Sequence, residues 1–160
     1  MAYNREKAVA YAHRWAFNRN PAYLNFAGIG GDCTNFISQC LYAGGAKMNF
    51  TKDYGWYYIN ANNRAPAWTG VEFLYRFLMT NKGVGPFGKL VSMSELQPGD
   101  VIQLSNSGII FTHTLLVVET GFFNTADDIL IAAHSDDSDY RPLSTYAVAD
   151  IRFIKINARG

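Results

Sequence analysis

The chain has 160 residues, of which 49% are hydrophobic and 17% are charged, and its formal net charge is +1 at pH 7. This length and composition predict one folded domain over residues 1–160 and exclude an intrinsically disordered chain. The near-zero net charge offers no attraction to nucleic acid or to an anionic membrane, so neither is expected as a partner. The sequence shows neither a membrane-spanning run nor the basic-then-apolar order of a secretory signal. We expect a monomer.

Three helices are predicted in the first half of the chain. Asn4 can cap the first helix, which we expect to end before Pro21. The second helix is predicted to begin at Cys33, after a glycine-rich stretch, and to end at Gly44. Thr69, followed three residues later by a glutamate, predicts a capping box at the start of the third helix.

An aromatic segment separates the second and third predicted helices. Residues 49–68 contain aromatic side chains among polar residues and glycines without a clear period, which is typical of a long loop. Its side chains can cover the core or line a substrate cleft. Under the second interpretation, Trp56 and Trp68 are candidate substrate contacts.

The second half of the chain has the pattern of β-strands. A turn is followed by four segments rich in β-branched and apolar residues: 101–104, 112–119, 128–134 and 150–156. Helices followed by consecutive strands predict an α+β fold, in which N-terminal helices pack on an antiparallel sheet.

Cys33 is placed where a nucleophilic thiol is expected. The attacking species is the thiolate, and the unpaired N–H groups at a helix N-terminus stabilise it. Gly30 and Gly31 would let a substrate backbone approach closely, and the N–H of Cys33 is a candidate oxyanion donor. Gly31 and Asp32 are therefore candidate substrate contacts beside a catalytic Cys33.

The second cysteine, Cys40, has a different predicted role. It lies seven residues further along the same helix, about 10 Å from Cys33 along the axis. A disulfide requires Cα atoms within about 7 Å, so both thiols are expected to be free. Cys40 is interpreted as a core residue.

Two histidines are candidates for the base and its orienting partner. His113 and His134 lie on strands predicted to form an antiparallel hairpin. If Glu119 pairs with Asp128, His113 falls opposite His134 with Cβ atoms about 5 Å apart on one face. His113 would then accept the thiol proton while His134 orients its ring, whereas a shift of one residue would separate the two rings.

Several alternatives remain open at this point. Asp136 competes with His134 as the orienting group and is also a candidate substrate contact. Cys33, His113 and His134 could instead be three zinc ligands, although we favour a site without metal. A non-catalytic module could use the aromatic segment to bind sugars, and acyl transfer is not distinguished from hydrolysis.

Four short motifs occur in a characteristic order: Asp32-Cys33-Thr34-Asn35-Phe36, Pro98-Gly99-Asp100-Val101, His113-Thr114 and Ala133-His134-Ser135. This order resembles the putative amidase domain family, which is similar to the NlpC-type, papain-like cell-wall peptidases.

The resemblance implies a minimal papain-like fold that hydrolyses amide bonds in peptidoglycan or similar peptides without a cofactor. It implies Cys33 as nucleophile, His113 as base and His134 as orienting residue, and an extracellular or cell-wall location. Thr34-Asn35 replaces the usual Ser-Gly after the cysteine. Both the muramoyl-alanine amide and a bond inside the stem peptide therefore remain candidate substrates.

Overall fold

The first half of the chain is mainly helical, as the spacing of its apolar residues predicts. A computed structural model describes residues 2–160 and contains these helices: α1 Arg5–Trp15, α2 Cys33–Ala43, α3 Pro66–Thr69 and α4 Val71–Thr80. The Asn4 side chain caps α1 by accepting a hydrogen bond from the N–H of Lys7 at 3.0 Å, as predicted. The predicted cap at Thr69 is wrong, because α4 begins after Gly70.

The second half of the chain forms a six-stranded antiparallel sheet, which confirms the α+β fold. Its strands are β3 Gly85–Val91, β4 Val101–Ser105, β5 His113–Glu119, β6 Leu130–Ala133, β7 Ser138–Pro142 and β8 Asp150–Arg159. Their order across the sheet is β3-β8-β4-β5-β6-β7. Two short strands, β1 Tyr58–Asn60 and β2 Asn63–Arg64, pair with each other in the aromatic segment.

Helix α2 lies against one face of the sheet, and this packing fixes its first turn. Residues 33–41 of α2 are all buried. The core between the helices and the sheet includes Phe36, Ile37, Cys40, Leu116, Ala132 and Ile154. A second core on the opposite face includes Leu115, Val117, Ile131 and Ala133, as the alternation of side chains along a strand requires.

The turn before β4 ties α1 to the sheet. Asp100 is fully buried; it accepts a hydrogen bond from Arg5 Nη1 at 2.7 Å and one from the N–H of Ile156 at 2.9 Å. Gly99 has φ +91°, and a Cβ there would lie 3.1 Å from Arg5 side-chain carbons. The Pro98-Gly99-Asp100-Val101 motif therefore has a structural role, away from Cys33. Within residues 2–160, no helix combines the length and apolar character needed to cross a bilayer.

Candidate active site

Cys33 is the first residue of α2, as predicted, and no side chain caps this end of the helix. Its Sγ lies 3.8 Å from the carbonyl oxygen of Thr112 and 3.7 Å from Thr34 Oγ1. Cys33 is 8% exposed, so the thiol is near the surface of the core. Gly30 and Gly31 precede it with φ of +89° and +102°, and nothing would lie within 4 Å of a Cβ at either position. The backbone before the thiol is therefore open to a ligand.

His113 is the first residue of β5 and directly follows the Thr112 carbonyl that contacts the thiol. Its ring Nδ1 lies 3.1 Å from Ser135 Oγ, and its Nε2 lies 3.3 Å from Asn106 Nδ2. The side chain is half-buried. Among the described residues, no hydrogen bond joins Cys33 Sγ to either candidate histidine ring.

The predicted register of the β5–β6 hairpin is wrong by one residue. Leu116 pairs with Ala132 and Val117 with Ile131, and the pairing is irregular between Val117 and Glu119. This shift directs His134 toward the α2 face of the sheet and His113 toward the other face. His134 therefore does not orient His113 in this structure, and Ser135 occupies that position.

His134 is enclosed beside the start of α2. Its Nδ1 lies 2.6 Å from Asp32 Oδ2, and its Nε2 lies 2.6 Å from the carbonyl oxygen of Trp15 and 3.2 Å from Arg19 Nη1. The ring stacks on Phe36 with centroids 3.8 Å apart, and the side chain is 2% exposed. Both ring nitrogens are occupied, so neither is free to take the thiol proton.

Asp32, the residue before Cys33, is the hydrogen-bond partner of His134. Burial alone would raise the pKa of Asp32, yet hydrogen bonds from His134, Asn35 and the N–H of Phe26 lower it below its usual value. The donors from Asn35 and Phe26 lie 2.9 and 2.8 Å from Oδ1. The predicted substrate contact at Asp32 is therefore wrong, because its carboxylate is buried and already hydrogen-bonded.

The other predicted substrate contacts have mixed outcomes. Gly31 is exposed beside Cys33. Asp136 is exposed with φ +53°, and no hydrogen bond links its carboxylate to His113 in residues 2–160. Trp56 and Trp68 are fully buried, so their predicted contact with substrate is wrong.

The same chain matches a family of known proteins over nearly all its length. The family described as "Putative amidase domain" matches residues 2–156. The chain belongs to this family. Membership in this family indicates amide hydrolysis as the activity of the domain.

One curated relative matches part of the chain, and its name describes no activity. "Uncharacterized protein YhbB" of Bacillus subtilis (strain 168) is 40% identical over 119 residues, which cover 72% of this chain and 37% of the relative. The chain thus matches little more than a third of that protein's length. No solved structure matches the chain significantly.

The two buried tryptophans of this amidase domain belong to its core. Their rings lie 4.6 Å apart between centroids. Trp56 Nε1 donates to Ser38 Oγ at 3.0 Å, and Trp68 Nε1 donates to Asn35 Oδ1 at 3.0 Å. Aromatic residues of this size can fill a core or bind a sugar, and the sequence carries no period that separates the two uses.

A Trp68→Phe substitution is expected to lower stability without weakening substrate binding. It removes a buried N–H donor and leaves part of the ring volume empty, which costs about 2 kcal/mol. Urea unfolding and the KM for an amide substrate are the measurements. A raised KM at unchanged stability would instead place Trp68 at the substrate.

The zinc alternative lacks a suitable group of ligands. No cluster of three His, Cys, Asp or Glu side chains within the described chain is arranged to hold a metal ion. Cys33, His113 and His134 are separated because the two histidines point to opposite faces of the sheet.

Proposed function

We propose that this domain hydrolyses amide bonds of peptidoglycan through a covalent acyl-enzyme on Cys33. The observation that carries the proposal is the position of the thiol. Cys33 starts α2, its Sγ lies 3.8 Å from the carbonyl of the residue before His113, and the backbone at Gly31 beside it is open. A thiol at a helix N-terminus, packed against the backbone that carries His113 and beside an open stretch of backbone, has the parts that acyl transfer to sulfur requires.

His113 is the base in this proposal because its ring is less enclosed than that of His134. Its two partners, Ser135 and Asn106, are neutral side chains, and the ring is half-buried at the end of a strand. The proposal requires the ring to leave Ser135 and turn toward the sulfur when substrate binds. Catalytic hydrogen bonds that are absent in a free enzyme often form only in the complex.

The chemical steps follow from these positions. Cys33 Sγ bonds to the carbonyl carbon of the amide while His113 takes the thiol proton, and the same ring then gives this proton to the departing amine. Water, activated by His113, cleaves the thioester and restores the thiol. The N–H of Cys33 lacks a partner within α2, as first-turn N–H groups do, and stabilises the oxyanion.

His134 and Asp32 act as positioning residues in this proposal. Their 2.6 Å hydrogen bond links β6 to the residue before the nucleophile. Stacking on Phe36 of α2 holds the same ring from the other side. Together these contacts fix where the first turn of α2, and therefore the thiol, meets the sheet.

The choice of peptidoglycan as substrate and of the cell wall as location rests on the similarity of the putative amidase domain family, whose motif order this chain shares, to the NlpC-type cell-wall peptidases. The alternative of a non-catalytic sugar-binding module cannot use Trp56 and Trp68, which are buried, and would depend on exposed aromatic residues of the same segment such as Tyr54. Mass analysis of products released from purified peptidoglycan would identify the bond that is cut.

A His113→Ala substitution tests the proposed base. We expect the rate of product release from purified peptidoglycan to fall by about 10²- to 10⁴-fold, because proton transfer contributes that much. The melting temperature should change little, since the half-buried ring makes only two hydrogen bonds to neutral side chains.

Ser135→Ala is the matched control for the loss of the ring's hydrogen bond. It removes the Nδ1 partner of His113 and leaves the imidazole in place. We expect activity within about threefold of wild type, because the ring leaves Ser135 when it turns toward the sulfur. Full activity in His113→Ala would exclude this base.

A further inference from the structure

We propose that Thr34 is a further catalytic residue, whose hydroxyl donates a hydrogen bond to the Cys33 thiolate. The direction of this bond is set by a buried chain of hydrogen bonds that starts at Arg152 and passes through Gln103 and Thr114. The inference rests on the proposed function, because it concerns the same sulfur.

Arg152, at the start of this chain of hydrogen bonds, fixes the orientation of the Gln103 side-chain amide. Gln103 Oε1 accepts hydrogen bonds from Arg152 Nε at 2.8 Å and Nη2 at 2.5 Å, and Gln103 Nε2 donates to the Val71 carbonyl at 3.0 Å. A guanidinium group only donates and a carbonyl only accepts. The NH₂ group of Gln103 must therefore point away from Arg152.

The amide then fixes the direction of two hydroxyl groups. Gln103 Nε2 lies 3.3 Å from Thr114 Oγ1, which lies 2.9 Å from Thr34 Oγ1. Because Thr114 accepts from the amide, its single hydrogen is free to bond Thr34. Thr34 in turn accepts that hydrogen, and its own hydrogen is directed to Cys33 Sγ, 3.7 Å away.

Because these groups are buried, water cannot replace their hydrogen-bond partners in the protein. Gln103, Thr114 and Thr34 are each fully buried, so their hydroxyl and amide hydrogens must use protein acceptors. Arg152 is itself held in place: its guanidinium carbon lies 3.5 Å from the Tyr75 ring centroid and 3.8 Å from that of Phe111. The start of the chain is thus a fixed cation.

The consequence is a donor aimed at the atom that becomes negative. When Cys33 gives its proton to the base, the sulfur keeps the charge, and a hydrogen bond from Thr34 stabilises it. If the direction were reversed, Thr34 would present an oxygen lone pair to the thiolate and disfavour it. Arg152, which also pairs with Glu72 at 2.9 Å, can only donate to Gln103 and therefore fixes the first arrangement.

Thr34→Val and Thr34→Ser test the proposal. Valine has the shape of threonine without the hydroxyl, and serine keeps the hydroxyl. We expect the rate of Cys33 alkylation by iodoacetamide at pH 7 to fall about tenfold in Thr34→Val, as for a hydrogen bond to a charged group, and to remain within twofold of wild type in Thr34→Ser. Cys40, whose pKa is raised by burial, is the slow internal reference in the same protein.

Thr114→Val tests the direction of the chain separately. It removes the donor to Thr34 while Gln103 keeps its bonds to Arg152 and Val71. We expect a smaller fall, about threefold, and no additional fall when Thr34→Val is already present, because the two residues act through one hydrogen bond. Independent, additive effects of Thr34→Val and Thr114→Val on the alkylation rate would overturn the proposed chain of hydrogen bonds.

The outcomes separate this inference from the proposed function. Fast alkylation of Cys33 in the wild type, slowed in Thr34→Val and restored in Thr34→Ser, supports both. Equal rates in all three proteins overturn the role of Thr34 and leave the nucleophile in place. A wild-type Cys33 that reacts no faster than Cys40 overturns both. If Thr34→Val fails to fold, Thr114→Val against wild type still tests the inference, because an unchanged alkylation rate of Cys33 in that variant would overturn it.

Discussion

Replacing Cys33 with alanine is expected to reduce amide hydrolysis by about 10⁴-fold or more, because in the proposed mechanism the sulfur forms the covalent intermediate. The protein should remain folded. The thiol makes two weak sulfur contacts, with Thr34 and with the Thr112 carbonyl. Product release from purified peptidoglycan and the melting temperature are the measurements.

Cys40→Ala is the matched control for this substitution. It removes the same group from the same helix, at a fully buried position in the core. We expect near wild-type hydrolysis and a loss of roughly 1 kcal/mol in the free energy of unfolding, from the lost packing. Wild-type activity in Cys33→Ala, or equal loss of activity in both variants, would exclude Cys33 as the nucleophile.

The start of α2 could be predicted from the sequence because its signals are local. Glycines lie before Cys33, and Gly44 follows the last turn, which is the usual pattern of a helix between two loops. The prediction that both cysteines are free is also confirmed, since it needs only the length of a helical turn. Local geometry was therefore enough to place the thiol.

The relation between the two histidines could not be predicted, because it depends on a single residue of register. The irregular pairing between Val117 and Glu119 shifts β6 against β5. In a strand, a shift of one residue moves every side chain to the other face. No residue in the loop between these strands signals where the irregularity lies, so Ser135 was missed as the partner of His113.

Two strands of the six-stranded sheet were missed because they lie at its edges. β3 and β7 form the two edges of the sheet, and they contain Pro86 and Pro142. Prolines are tolerated at edges because one side of an edge strand lacks a partner. Sequences of this kind resemble turns, whereas the central strands β4, β5 and β8 have the apolar, β-branched composition that predicts them.

The buried acid beside Cys33, Asp32, was also missed as a structural residue, and its replacement has the largest expected effect on stability. Asp32→Ala is expected to lower the free energy of unfolding at pH 7 by about 3–5 kcal/mol. The substitution leaves the buried His134 ring and the N–H of Phe26 without their acceptor. It also frees the start of α2, so hydrolysis should fall with stability. Urea unfolding at several pH values measures the effect.

Asp137→Ala is the matched control, because Asp137 pairs with Arg19 at 2.9 Å in the same region but is partly exposed. An ion pair of that kind contributes about 0–1 kcal/mol, so a loss there as large as in Asp32→Ala would contradict the role of burial. The pKa of Asp32 is lowered in the folded state. Its contribution is therefore complete above the unfolded value of about 3.9 and is lost as the pH falls through the lower folded value. The difference in the free energy of unfolding between wild type and Asp32→Ala should shrink below about pH 4, since the carboxylate that holds His134 is then protonated.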